Sequence, residues 1–134
     1  MAATPEEALL DAINAAGSLK LKKFRDTMHL PMHQIGMPEG FPPIYLTEED
    51  VPEHRDEGWK KTNPEWVGSS VKIISHEIIV RSESKVAFLM KAARYYSNGE
   101  LMQTFEAIIT VAERDGDWRL ISRNPFNIVK VGRN

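Results

Sequence analysis

Two histidines, His29 and His33, are the side chains of this sequence best suited to move a proton near neutral pH. Imidazole is the one ordinary side chain whose charge changes in that range. Pro31 lies between them and argues against a helix. In a strand their four-residue spacing places both on one face, about 13 Å apart, which is too far for this pair alone to bind one metal ion. The structural alternative is one part-buried histidine bonded to the backbone and one exposed histidine.

Two arginines, Arg94 and Arg123, lie in otherwise apolar segments. A buried arginine needs a carboxylate or several acceptors. Each is therefore a candidate for holding a carboxylate or enolate with its planar donor fork. The alternative is an ion pair within a sheet or between subunits, and Glu106 is a candidate partner for Arg94 across a hairpin. Together with the two histidines, these arginines are the catalytic candidates.

Six large side chains are candidates for the wall of a ligand pocket: Tyr45, Trp59, Trp66, Phe88, Met90 and Phe126. Residues of these types also form ordinary protein cores, and that alternative stays open. The sequence has no cysteine, and no carboxylate pattern matches a calcium loop. We expect no metal ion and no cofactor.

The elements that position these residues are clearest in the second half of the chain. Apolar runs alternate there with turn-forming segments, in which Asn98-Gly99 and Asp115-Gly116 supply the positive φ angles of two-residue hairpin turns. We predict a meander of four long antiparallel strands over residues 71–81, 86–96, 101–113 and 118–131. Apolar residues on both faces predict a sheet that is covered on both sides. Ile73-Ile74 breaks the alternation and predicts a bulge.

The first half predicts short elements. Thr4-Pro5-Glu6-Glu7 has the order of a capped helix start, and apolar residues recur at helical spacing from there to Gly17. Beyond that glycine we predict a short helix over 19–26, strands over 29–36 and 44–46, and an acidic helix over 51–59 that follows a second capping box at 47–50.

Bulk properties exclude several classes of protein. The chain has 134 residues, 42% of them hydrophobic, with a net charge of −2. We expect one domain over residues 1–134, without disorder and without a polybasic nucleic-acid surface. There is no run of about 18 apolar residues and no signal-peptide pattern. We therefore expect a cytoplasmic protein with no nucleic-acid and no membrane partner.

The element order, a helical first half followed by four long antiparallel strands, is an α+β layout. It resembles the nuclear-transport-factor-two-like superfamily, which includes SnoaL-like cyclases and ketosteroid isomerase. The likeness is carried by the hairpin segments 82–87, 94–99 and 114–119 and by the helical residues 8–14. It implies a cone-shaped α+β barrel, in which a strongly curved antiparallel sheet wraps around the N-terminal helices. It also implies a pocket at one end of the cone and a homodimer through the outer face of the sheet.

The resemblance implies a small-molecule-binding protein, but the fold serves many reactions and does not select one. Isomerase members use a tyrosine on the first helix, where this sequence has Asp11 and Asn14 instead. We expect a cofactor-free acid–base enzyme of the isomerase, dehydratase or hydrolase type, acting on a mostly apolar ligand. His29 or His33 would transfer the proton. The alternative is a non-catalytic ligand-binding module or a dimerising accessory subunit.

Overall fold

The computed structural model describes residues 2–17, 19–37, 41–52 and 57–131. Its helices are α1 (Pro5–Gly17), α2 (Leu21–Arg25) and α3 (Glu57–Thr62), and its strands are β1 (Met28–Gln34), β2 (Ile44–Tyr45), β3 (Ser70–Arg81), β4 (Lys85–Tyr95), β5 (Leu101–Arg114) and β6 (Asp117–Lys130). No helix in these described ranges is long and apolar enough to cross a membrane.

The strands form one curved sheet in the order β2-β1-β6-β5-β4-β3. The strands from β3 to β6 are antiparallel neighbours, which confirms the predicted meander. β2 pairs antiparallel with β1, also as predicted. β1 lies parallel to β6 and places Gln34 beside Arg123, so the sheet is mixed. The predicted α+β class is confirmed, and the sheet is not closed.

The two glycine-containing turns differ in length. Asp115 and Gly116 have φ angles of 53° and 79°, and they form the predicted two-residue turn between β5 and β6. The loop between β4 and β5 spans residues 96–100 instead. Asn98 Oδ1 accepts a hydrogen bond from the Glu100 amide at 2.9 Å. The two-residue turn predicted there is wrong, because the Asn98 side chain closes a longer turn of its own.

Helix α1 begins at the predicted cap. The Glu7 amide donates to Thr4 Oγ1 at 3.2 Å, and Glu7 Oε2 accepts from the Ala3 amide at 3.0 Å. One face of the helix, which includes Leu9 and Ala12, is fully buried. This face packs on the sheet, and the shared core contains Phe88, Met90, Ile109 and Val111. The helix therefore occupies the concave side of the sheet, where the resemblance placed it.

The predicted bulge in β3 is confirmed. The pairing of β3 with β4 slips between Ile73 and Ser75, so that Ile74 is the additional residue. The slip brings His76 opposite Met90. Ile73, before the bulge, and His76, after it, therefore face the same side of the sheet, because their partners Ala92 and Met90 are two positions apart on β4.

The second capping box closes a 3-10 turn rather than opening a helix. The Thr47 amide donates to Asp50 Oδ2 at 3.0 Å, and the turn covers Glu48–Asp50. Val51 is already extended, with φ −89° and ψ 113°. Pro52 disfavours the helical conformation in the residue before it. The helix predicted over 51–59 is therefore wrong at its start; residues 53–56 lie outside the described ranges, and α3 covers Glu57–Thr62.

Candidate functional site

A cavity of about 330 Å³ lies between the end of α1, the concave face of the sheet and the segments that follow β2. Its volume is within the range of small-molecule sites. Most of its wall is apolar; this part includes Ile13, Leu21, Phe24, Phe41, Val51, Val71, Met90, Phe105, Ala107, Ile109 and Pro125. The alternation of β5 explains one side of this wall, because every second residue of a strand faces the same way.

Three polar residues line the cavity in one row across the sheet. Arg94 on β4 is opposite Gln103 on β5, and Gln103 is opposite Lys130 on β6. Neighbouring strands are about 4.8 Å apart, so the row spans about 10 Å from Arg94 to Lys130. We call Arg94, Gln103 and Lys130 the polar row. It concentrates two cations and one amide at the end of the cavity next to the β4–β5 loop.

Arg94 is the most deeply enclosed cation of the cavity, with 7% of its surface exposed. Its Nη1 donates to the carbonyl oxygen of Gly17 at 2.9 Å and to Ser69 Oγ at 2.7 Å. Its guanidinium carbon lies 4.2 Å from the ring centre of Trp66. The side chain is thus held by the end of α1, by the segment before β3 and by an aromatic face.

The predicted ion pair between Arg94 and Glu106 does not form. Glu106 is opposite Lys91, and the Lys91 Nζ lies 3.7 Å from the Oε1 of Glu106. Within the described ranges, no carboxylate oxygen lies within 4.0 Å of the Arg94 guanidinium. The register is the reason, since it places Arg94 three positions along β4 from the residue that meets Glu106.

Burial lowers the pKa of Arg94 to about 10, because the charged form loses hydration. The guanidinium nevertheless remains charged at neutral pH. Gly17 is the last residue of α1, and its carbonyl carries part of the negative end of the helix dipole, which stabilises a nearby cation. The partial negative charge of this carbonyl is smaller than the full charge of a carboxylate, so it neutralises the Arg94 guanidinium only in part.

Arg123 lines another part of the cavity and is held differently. Its Nε donates to Gln34 Oε1 at 2.8 Å, and its Nη2 donates to the same oxygen. Its guanidinium carbon lies 4.9 Å from the ring centre of Phe24 and 5.6 Å from that of Phe41. The side-chain NH₂ of Gln34 donates to the carbonyl oxygen of Pro42 at 2.9 Å, which fixes the amide that Arg123 contacts.

The two histidines lie apart from the cavity. His29 Nε2 donates to the carbonyl oxygen of Asp117 at 2.7 Å, because a carbonyl can only accept. His33 is exposed on β1. Neither belongs to the described cavity lining. This is the arrangement of the structural alternative, and proton transfer by either histidine stays a prediction from the sequence.

Four of the six predicted wall residues line the cavity: Tyr45, Trp59, Trp66 and Met90. The Trp59 and Trp66 rings meet edge to face with centres 6.2 Å apart. The other two lie outside the described lining. Phe88 is buried in the hydrophobic core, and Phe126 is an exposed residue opposite Glu106.

Several lining residues were missed from the sequence: Asn63, Glu65, Gln103, Phe24 and Phe41. Gln103 was within reach of pattern analysis, because Gln103, Phe105, Ala107 and Ile109 alternate along one face of β5. Glu65 carried no such signal, since it lies in a 3-10 turn at Pro64–Trp66. Among the described residues, no group of three His, Asp or Glu side chains is placed to hold a metal ion.

Comparison by sequence finds no matching family model and no matching curated protein. Comparison by structure does find neighbours. A nuclear-transport-factor-two-like protein with a cystatin-like fold from Novosphingobium aromaticivorans is 9% identical, with a TM-score of 0.65 over 89% of this chain and 76% of that one. A hexachlorocyclohexane dehydrochlorinase from Novosphingobium barchaimii is 12% identical, with a TM-score of 0.64 over 94% and 86%.

The CaMKII association domain of C. elegans is a further neighbour, 8% identical with a TM-score of 0.62 over 91% of this chain and 92% of that one. Identities this low carry information about the backbone rather than about the chemistry. One of these neighbours is named as an enzyme and the other as an association domain, although both share this backbone. By its architecture and by these neighbours, this chain has the nuclear-transport-factor-two-like fold.

Proposed function

We propose that this protein binds a small, largely apolar molecule in the cavity between α1 and the sheet. The observation that supports this is the cavity itself, about 330 Å³ with an apolar wall and a polar row at one end. Small-molecule sites have this composition, in which apolar groups supply affinity and a few polar groups fix orientation. One fold neighbour is by name a dehydrochlorinase of a small chlorinated hydrocarbon.

An enzymatic form of this function would be cofactor-free acid–base chemistry of the isomerase, dehydratase or hydrolase type. Such chemistry needs a proton-transfer group at the ligand. Glu65 is the carboxylate in the described lining, and it is a better placed candidate than His29 or His33. A non-catalytic binding module would use the same cavity without that step, and turnover of a bound ligand distinguishes the two.

Ligand binding can be tested by tryptophan fluorescence, because Trp59 and Trp66 line the cavity. Neutral apolar probes such as 2-naphthol and decanol should change the emission with a saturable curve. Ala107→Phe fills the cavity from β5 and should weaken binding at least tenfold. Ala87→Phe is the matched control, because Ala87 is opposite Thr110 on the other face of the sheet; its affinity should stay within twofold of the wild type.

Ala16→Leu, from the end of α1, gives the same test if Ala107→Phe does not fold. Circular dichroism establishes folding of each variant before titration. Binding that is absent from the wild type, or unchanged when the cavity is filled in folded variants, would refute the cavity as a ligand site.

A second candidate function is assembly through the outer face of the sheet. Val80 is 66% exposed and Val129 is 60% exposed, and Leu89 lies opposite Ile108 on the same outer face as Val80. A contiguous apolar patch on the exposed face of a sheet marks an interaction surface. One fold neighbour is by name an association domain. The outer face would then join two copies around a twofold axis.

Sedimentation velocity at 2 and 100 µM tests this assembly. The wild type should sediment as a dimer at the higher concentration, and Leu89→Lys should shift it to the monomer. Leu10→Lys is the control, because Leu10 is exposed on α1 rather than on the sheet. A wild-type monomer at 100 µM would rule out a stable homodimer.

A further inference from the structure

We infer, on the basis of the binding function proposed above, that the ligand is a monocarboxylate with an apolar body and that Arg94 and Gln103 bind its carboxylate. Two features of the structure converge on this chemistry. One is the set of N–H groups that Arg94 leaves unused, and the other is the neighbouring amide of Gln103.

A guanidinium has five N–H donors, and Nη1 of Arg94 uses its two on Gly17 and Ser69. The remaining three, on Nε and Nη2, have no partner among the described residues, and Nε is itself buried. Nε and Nη2 share one edge of the guanidinium plane. Nε has almost no accessible surface, so a carboxylate in the cavity reaches this edge through Nη2, which can donate a charge-assisted hydrogen bond to one of its oxygens.

The charge of Arg94 is also incompletely matched. It is 7% exposed, and the described residues place no carboxylate within 4.0 Å of it. An enclosed cation without a full counter-charge is costly, and a bound anion removes that cost. Because Arg94 is part of the cavity wall, an anion bound in the cavity can supply this counter-charge.

Gln103 supplies a second donor beside the first. It is opposite Arg94 on the neighbouring strand and is 7% exposed. Its side-chain amide has no hydrogen-bond partner in the described part of the chain. Because Gln103 lines the cavity, a ligand bound there can contact it. Its NH₂ can donate to a carboxylate oxygen. Lys130, the third member of the polar row, adds positive potential at the same end.

The apolar body of the ligand has one direction open to it. From Gln103 the inward-facing residues of β5 continue as Phe105, Ala107 and Ile109, which lie about 7 Å apart from one to the next at roughly 3.3 Å per residue. Trp66 covers the guanidinium at 4.2 Å and closes the head end. The carboxylate is therefore expected at the polar row and the chain or ring along β5.

Arg123 does not offer an equivalent edge. Its Nε and Nη2 both donate to Gln34 Oε1, so the edge that has no partner in Arg94 is occupied in Arg123. This contrast assigns the carboxylate to Arg94, although both arginines line the cavity.

Isothermal titration calorimetry of the wild type with decanoate and with decanamide, at pH 7.5, separates the contribution of the carboxylate to the affinity from that of the apolar chain. Decanoate should bind at least thirtyfold more tightly than the amide. Arg94→Gln should reduce that ratio to below threefold, and Gln103→Leu should reduce decanoate affinity five- to tenfold. Arg81→Gln is the control of equal charge change, because Arg81 is an exposed residue at the end of β3, and it should keep the wild-type ratio.

The outcomes separate this inference from the binding function on which it rests. If the wild type binds decanoate and decanamide equally, the carboxylate assignment is wrong while the cavity remains a ligand site. If the wild type binds neither of them nor a neutral probe, both are wrong. The wild-type ratio needs no variant, so the assignment stays testable even if Arg94→Gln does not fold, and Arg94→Lys then keeps the charge while removing the planar edge.

Discussion

Gly17 and Val71 are in such close contact that a Cβ atom added to Gly17 would lie 2.8 Å from the Cβ of Val71. The last residue of α1 is therefore seated directly on β3. The same residue presents its carbonyl oxygen to Arg94 Nη1. One glycine thus sets both the distance between helix and sheet and the position of the cation in the cavity wall.

Gly17→Ala should destabilise the protein by about 1–3 kcal/mol, because the added methyl group overpacks the contact with Val71. Urea denaturation followed by circular dichroism measures the change. Combining the substitution with Val71→Gly removes the Cβ atom that the added methyl group would meet at 2.8 Å. The double variant should then be more stable than the sum of the two single effects, and simple additivity would contradict the contact.

Leu9 and Leu10 are adjacent on α1 but differ in environment, with 0% and 42% of their surfaces exposed. Leu9→Ala should cost about 2–5 kcal/mol, because it leaves a cavity in the core. Leu10→Ala should change the unfolding free energy by about 0.5 kcal/mol or less. Thermal and urea unfolding of both variants compare them directly. Equal losses would mean that α1 does not pack on the sheet through the face described.

Asp50 should stabilise the turn after β2 only in its ionised form. Backbone hydrogen bonds from Thr47 and Leu46 lower the pKa of its carboxyl group. A carboxyl whose folded-state pKa is lowered contributes stability above its unfolded pKa and loses it as the pH falls through the folded value. Asp50→Asn should therefore lower the urea midpoint at pH 7, and the difference from wild type should shrink in acid.

Glu49→Gln is the matched control for Asp50, because it removes a charge from the same exposed turn without removing the hydrogen bonds that the Leu46 and Thr47 amides donate to Asp50. A difference between Asp50→Asn and wild type that is the same at pH 7 and in acid would show that the ionised cap contributes nothing.

His29 should contribute to stability through its bond to Asp117. His29→Phe keeps a ring but removes the Nε2 donor, which lies 2.7 Å from the carbonyl oxygen. The expected loss is about 1 kcal/mol, the typical net value of such a bond. His33→Phe, on the exposed side of β1, should lose less. Chemical denaturation of the two variants measures both losses. An unchanged midpoint for His29→Phe would show that the hydrogen bond to Asp117 does not stabilise the fold.

Much of the fold was accessible from local chemistry. The capped start of α1, the four long strands, the bulge at Ile73 and the turn at Asp115-Gly116 all follow from short-range rules of capping, alternation and positive φ. The predictions failed where a neighbouring residue overrode the local pattern. Pro52 displaced the helix expected after the second cap, and the Asn98 side chain lengthened the β4–β5 turn.

By itself the sequence determined which segments become strands and helices, because those choices depend on residues a few positions apart. The tertiary structure alone decided the site. Arg94 meets Gly17 across 77 positions and His29 meets Asp117 across 88, and β1 comes to lie parallel to β6. No local pattern encodes contacts over such separations, because they form only when curvature, strand register and helix packing are satisfied together. That is why the arginine was identified as a candidate from the sequence, while its partners Gly17 and Ser69 were visible only in the folded chain.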